Sequence, residues 1–275
     1  MKGGGFTPLS VRKFRNIIYR HYHKNPRALA WRMTTNPYRI LVSEIMLQQT
    51  QVERVSSKYK EFINTFPGFR SLSRAPLRNI LEVWQGMGYN RRAVALRKIA
   101  ETVISDFKGR LPSSEDELMK LPGIGRYTAS AISTFAFNKP TVFIETNIRR
   151  VFIHFFFQER ARVRDSEILP LVEKTLDRSN PREWYYALMD FGVMLKKKTE
   201  NPNKRSAHYR KQSPFQGSNR QLRGMILRLL LRKPAISESE IIGELKSNPE
   251  KIKENLSALQ NEGFVLRKGR RFNVC

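Results

Sequence analysis

The chain has 275 residues, a formal charge of +27, 40% hydrophobic residues and a single cysteine, Cys275. No run of 18 apolar residues occurs, so a membrane-spanning helix is not expected, and one thiol can form neither an intramolecular disulfide nor a thiolate metal cluster. A globular, basic protein remains, and its default partner is a nucleic acid, because each Lys or Arg set against a phosphate releases condensed counterions. Met1–Gly5 lacks the apolar core of an export signal, and a cytoplasmic location is the expectation.

Apolar residues at three- and four-residue spacing predict helices over Ser10–Tyr22, Arg39–Phe66, Arg92–Phe107, Glu115–Lys120, Tyr127–Phe137, Asn147–Phe157 and Arg182–Lys197. Asn36-Pro37, Pro67-Gly68, Leu111–Ser114, Pro122-Gly123 and Asn180-Pro181 punctuate them, and no useful strand alternation intervenes. Residues 1–198 therefore read as a mainly α domain of many short helices. Within the second segment, Glu44 lies in the apolar stretch Ile40–Leu47. Partial burial there would raise its pKa and keep a proton available near neutrality. Taken alone, it reads equally as a surface carboxylate or an N-cap partner.

Further along, Leu121-Pro122-Gly123-Ile124-Gly125-Arg126-Tyr127-Thr128-Ala129 places two glycines at a junction between helices. Glycine permits positive φ and close backbone approach, and the next helix opens with unpaired N–H groups suited to a phosphate. This is a helix-hairpin-helix pattern, which grips a DNA backbone without reading sequence. Gly123, Gly125, Arg126 and Thr128 are its candidate backbone-binding residues, with Asn147 at the start of a later helix. An ordinary turn between helices is the plainer alternative.

Residues 199–218 change to a polar, basic composition and read as a linker. The segment 219–275 predicts helices over Arg220–Arg232, from Ser237 to Leu245 and from Asn248 through Leu259. A hairpin over Gly263–Val274 follows. That order is winged-helix-like. With 12 basic and 6 acidic residues, the segment suits DNA contact, protein docking being the alternative.

Several motifs together carry a family resemblance: Trp31-Arg32, Pro37-Tyr38, Ser43–Val52, Trp84–Tyr89, the glycine hairpin and Met189-Asp190-Phe191-Gly192. In order and spacing, over roughly residues 10–195, the chain resembles the MutY-type adenine DNA glycosylases of the endonuclease III superfamily. The resemblance implies a two-lobed helix-hairpin-helix glycosylase fold and double-stranded DNA with a damaged or mismatched base as partner. A monomer is expected. It also implies that Glu44 is the general acid that protonates the leaving base, and that Gln48 and Gln49 enter the DNA stack beside the base opposite the target. Tyr89 becomes an aromatic wedge there, while Trp31, Arg32 and Asp190 line the base pocket; Asp190 reads alternatively as a structural cap.

Three departures from the family matter. Glu145 stands where the family has a catalytic Asp, so its carboxylate reaches about an ångström further, a displacement that can cost ~10²-fold in rate. Three readings stay open: Glu145 still stabilises the cationic sugar, it serves a differently shaped lesion, or the protein binds DNA with little catalysis. Tyr127 occupies the place where bifunctional relatives hold a Lys, and a phenol cannot form a Schiff base. A monofunctional glycosylase without lyase activity is therefore expected. Finally, relatives follow this Gly-Val-Met-Leu stretch with four cysteines on an iron–sulfur cluster, whereas Lys196–Lys211 contains none and His208 alone cannot replace them. No cofactor is expected. The segment 219–275 is also too short for the Nudix-like domain that helps adenine glycosylases read 8-oxoguanine. Adenine opposite 8-oxoguanine or guanine is the first expected target, and a mismatched thymine or uracil the second.

Overall fold

The computed structural model describes residues 8–210 and 214–275. The export-signal reading of Met1–Gly5 and part of the expected linker, 211–213, lie outside the described residues. The helices, in chain order, are α1 (Pro8–Lys24), α2 (Pro37–Leu47), α3 (Val52–Thr65), α4 (Phe69–Arg74), α5 (Leu77–Trp84), α6 (Arg91–Ser105) and α7 (Glu115–Met119). They continue with α8 (Arg126–Phe137), α9 (Thr146–Phe156), α10 (Asp165–Thr175), α11 (Pro181–Lys198), α12 (Asn219–Arg232), α13 (Glu238–Leu245) and α14 (Pro249–Asn261). Three short strands, β1 (Ile236–Ser237), β2 (Val265–Lys268) and β3 (Arg271–Val274), complete the regular structure. The chain is mainly helical, as the apolar spacing predicts.

Two compact units form. One gathers the described residues up to Glu44, Pro112–Lys120 and 124–210; the other gathers Ile45–Leu111, Leu121–Gly123 and 214–275. In the first, α11 packs on α1 and α9. An aromatic cluster fills their junction: Phe14 lies 5.1–5.8 Å, centroid to centroid, from Phe152, Phe155, Phe156 and Trp184. Gly192 sets the closest approach. A Cβ there would stand 2.5 Å from the Asn147 carbonyl oxygen, so only glycine lets α11 meet the start of α9. Arg150, buried beside it, donates through Nη1 to the Gly192 carbonyl at 2.8 Å and to Asn147 Oδ1 at 2.6 Å.

The stretch after α11 is tied to the same place. Pro202–Arg205 forms a 3-10 turn with Pro202 and Asn203 buried. Asn203 Nδ2 donates to the Thr146 carbonyl at 2.9 Å, and Arg150 Nε donates to Asn201 Oδ1 at 3.2 Å. A parallel bridge joins Val163 to Ser206, through Val163 N donating to the Arg205 carbonyl and Ala207 N donating to the Val163 carbonyl, both at 2.9 Å. An iron–sulfur cluster does not fit here, since its ligands are thiolates and the one cysteine is Cys275. Among the described residues no group of three or more His, Cys, Asp or Glu could hold a metal ion.

The run Arg39–Phe66, helical by its spacing, is broken after Leu47. The α2 helix ends at Leu47, and Gln49 takes a left-handed φ of 55° before α3 begins. The break is stabilised by Arg92, on which sequence reasoning placed no weight. Its Nη1 donates to the carbonyls of Ile45, Met46 and Gln48 at 3.0, 2.7 and 2.6 Å. Its Nη2 donates to Thr50 Oγ1 at 2.9 Å and to the Met87 and Gly88 carbonyls at 3.3 and 3.0 Å. One buried guanidinium thus satisfies the end of α2 and joins the 48–50 turn to the 87–89 turn. Burial lowers its pKa to about 10, which leaves it charged at neutrality. Arg92→Ala is expected to cost about 3 kcal/mol in denaturant unfolding, because several carbonyls lose their donor together. Arg92→Lys recovers only part of this, as an ammonium lacks the planar fork.

Residues 219–275 follow the predicted order of helices and hairpin, with one addition. The short strand β1 pairs antiparallel with β3, giving a three-stranded sheet of order β1-β3-β2. Ser237 and Glu240 form the capping box expected from the sequence, Ser237 N donating to Glu240 Oε2 at 2.7 Å. Leu222, Ile226 and Leu230 of α12 are buried, as are Ile252, Leu256 and Leu259 of α14 and Phe264 and Phe272 of the hairpin.

Candidate active site

The first unit brings together Glu44, Glu145, Tyr127 and Arg32. Glu44 lies near the end of α2, 9% exposed. Burial, then the charge of Glu145, raises its pKa to about 8, against the opposing pull of Arg32. Among the described residues no hydrogen-bond donor meets its carboxyl, so the charge of Arg32 alone favours the anion.

Glu145 has the opposite surroundings. It is the N-cap of α9: Oε1 accepts from the backbone N–H groups of Asn147 and Ile148 at 2.6 and 2.8 Å, and Oε2 accepts from Asn147 Nδ2 at 3.1 Å. The extra methylene is thus taken up by folding the carboxylate back over the helix start. Burial raises its pKa, opposed by the two backbone donors and then by Arg150 and Arg149. Where two buried carboxyls sense each other, the one with N–H donors keeps the charge and the one without keeps the proton. The site accordingly sets Glu44, whose carboxyl has no donor, beside Glu145, whose carboxyl the α9 N–H groups hold.

Tyr127, in the first turn of α8, leans edge-on against Phe143, with centroids 5.6 Å apart. Phe143 in turn stacks on Tyr185 at 4.0 Å. Tyr127 keeps 37% of its surface accessible, yet its phenol is enclosed enough to be pushed well above the ordinary value. Burial is the main cause, then Glu44 and Glu145. Phenolate chemistry is excluded at neutral pH.

Arg32 and Asp190 form a bidentate pair, Nη1 to Oδ2 at 2.8 Å and Nη2 to Oδ1 at 2.9 Å. Asp190 Oδ2 also accepts from the Arg27 backbone N–H at 3.2 Å. Arg32 sits over the Tyr186 ring, 4.5 Å from its centroid, with Trp31 buried next to it in the turn Ala30–Arg32. Both oxygens of Asp190 are therefore engaged within the protein, in a buried clamp on the residues that face Glu44 and Tyr186. Tyr186 carries no prior sequence signal beyond its place on an apolar helix face.

Gln48, Gln49 and Tyr89 belong to the second unit, where Arg92 brings their two turns together. Tyr89, like Gln49, has a left-handed backbone, φ 48°, a conformation that costs about 1 kcal/mol or more for a residue with a side chain. In the hairpin, Gly123 needs its glycine: φ is +79°, and an added Cβ would stand 3.2 Å from Ala95 Cβ. Gly125 does not share that need. Its φ is −89°, and it serves as the N-cap of α8 with nothing within 4 Å of where a Cβ would project. Arg126 is exposed in the first turn of α8, and Thr128 is buried there. Asn147 is held by Glu145 and Arg150.

Residues 42–173 match the family described as HhH-GPD superfamily base excision DNA repair protein. An adenine DNA glycosylase of Buchnera aphidicola subsp. Baizongia pistaciae is 37% identical over 186 residues, which cover 66% of this chain and 52% of that protein. The chain thus spans about half the length of that relative. A thymine/uracil-DNA glycosylase of Methanothermobacter thermautotrophicus is 29% identical over 185 residues, covering 66% of this chain and 84% of the relative. Among solved structures, a thermostable thymine-DNA glycosylase aligns with a TM-score of 0.60 at 27% identity, over 67% of this chain and 86% of that one.

Proposed function

We propose that the chain, whose residues 42–173 match the HhH-GPD superfamily of base excision DNA repair proteins, hydrolyses the N-glycosidic bond of a mismatched base flipped out of double-stranded DNA. The observation that carries this reading is the pairing of two buried carboxyls in opposite surroundings, Glu44 with no hydrogen-bond donor on its carboxyl and Glu145 on the α9 N–H groups. A departing base needs a proton, and the oxocarbenium-like sugar left behind needs nearby negative charge. Glu44 donates its proton to a ring nitrogen as the bond from C1′ to the base breaks and the electron pair leaves with the base. Glu145 stabilises the sugar cation, and water adds to C1′ with its proton passing to a carboxylate.

Adenine opposite 8-oxoguanine or guanine is the first target, supported by the 37% identity to an adenine DNA glycosylase. A thymine or uracil mismatch is the second, supported by the greater share, 84%, of the thymine/uracil enzyme that the chain matches. Single-turnover cleavage of duplexes carrying one A·8-oxoguanine, A·G, T·G, U·G or hypoxanthine lesion separates them. Absence of turnover on all five would refute the enzyme reading and leave a damage-binding protein. No iron–sulfur cluster takes part; the 199–209 segment is held by its own hydrogen bonds. The hairpin around Gly123, Gly125, Arg126 and Thr128 holds the DNA backbone, and the protein acts as a monomer in the cytoplasm.

A phenol at position 127 cannot trap the sugar. Borohydride added during turnover is expected to leave no covalent protein–DNA adduct, and product strands break only after alkali. An adduct on denaturing gels would show that a nearby lysine serves as a nucleophile.

A further inference from the structure

A cavity of about 870 Å³ opens within the second unit, between the 48–50 and 87–92 segments on one side and α12 and α14 on the other. Six of its lining side chains are arginines, and one is a carboxylate, Glu254. Three of the arginines are engaged by the fold. Arg92 serves backbone carbonyls, while Arg91 and Arg223 both pair with Glu262, at 2.8 and 2.6 Å. The others face the cavity with different partners. Arg220 donates to the Tyr89 hydroxyl at 2.8 Å and lies 5.8 Å from its ring centroid. Arg54 and Arg228 are exposed, and among the described residues neither meets a carboxylate.

The remaining lining includes amides, aromatics and the leucines Leu81, Leu227 and Leu231. Gln48 and Gln49 present donors and acceptors at one edge, and Phe215, 61% exposed, stands at another. Guanidinium groups for phosphate, amides for a base edge and aromatic faces for stacking are the components of nucleotide recognition. The volume falls within the roughly 300–1,000 Å³ of sites that enclose small ligands. The geometry points to this cavity as a nucleotide-binding site for the substrate DNA. The nucleotide that the resemblance already sets against Tyr89, Gln48 and Gln49 has its phosphates on Arg220 and Arg228 of α12. The segment 219–275 then takes part in opposite-strand recognition. The identity of that nucleotide rests on the proposed base excision; the existence of the site does not.

The test uses the full chain carrying Glu44→Gln, which is expected to hold substrate uncleaved, and a fluorescein-labelled duplex with one A·G mismatch and 2-aminopurine next to the mismatched guanine. Binding is followed by anisotropy across a salt series, and unstacking by 2-aminopurine emission. With Arg220→Ala and Arg228→Ala added, affinity is expected to fall at least about tenfold, and the slope of log K against log salt to shrink by about 1.8, two phosphates' worth. The rise in 2-aminopurine emission is expected to vanish. Arg220→Lys with Arg228→Lys restores the slope, which separates lost charge from misfolding. An unchanged slope, or a reduced slope with the emission rise intact, overturns the proposal. Failure of the enzyme reading shows separately, as no turnover by the unmodified chain while the arginine variants still lose binding.

Discussion

Glu44→Gln is expected to lower the rate of base excision by about 10³- to 10⁴-fold while leaving DNA affinity within a few-fold, the signature of losing a group that acts in the transition state. The amide keeps the size of the carboxyl but has no transferable proton. The pH profile follows from the raised pKa. Glu44 is active when protonated, so the single-turnover rate should stay level below about 8 and fall tenfold per pH unit above it. At the acid end it falls again once Glu145 takes a proton. Stability carries the same signature. A carboxyl whose folded pKa is raised binds more protons in the folded state than in the unfolded one. Folding stability should therefore decline between the usual Glu range and about 8, with a slope of at most about 1.4 kcal/mol per pH unit, and level off beyond. In Glu44→Gln this decline disappears, and above pH 8 the variant should be the more stable protein. A Gln variant that kept both turnover and the alkaline fall would remove Glu44 from the acid role.

Glu145 separates charge from reach. Its carboxylate folds back onto the α9 N–H groups, a task for which the shorter Asp is also well suited. Glu145→Asp should therefore retain the cap and keep the single-turnover rate within about tenfold. Glu145→Gln keeps length and oxygen acceptor but loses the anion facing the sugar, and should lose at least about 10²-fold. Glu145→Ala should lose more, and also about 1 kcal/mol of stability with the helix cap. If Asp proves as damaging as Gln, the site is built around the longer side chain.

Much of this was readable from residue order. The apolar spacing placed the long helices, and the Ser237–Glu240 box and the Gly263–Val274 hairpin follow from local chemistry that needs no distant partner. Glu44 in an apolar stretch implied a raised pKa, and burial is the largest cause of the rise. What residue order does not show is that the left-handed turn at Gln49 is held by Arg92, more than forty positions away. Arg92 itself looks like any surface cation until the carbonyls of two turns converge on it.

The departure at position 145 shows the division most clearly. Residue order identified a carboxylate with one methylene too many, and length alone implied a longer reach. The structure reverses that implication, since backbone N–H donors at a helix start draw the carboxylate inward, while burial raises the pKa of Glu44 beside it. Local pattern and composition thus determined the helices, the basic character and the kinds of group available. Tertiary packing decided the different surroundings of the two carboxyls, because a carboxyl's pKa answers to burial and to donors and charges that residues far apart in the chain bring together.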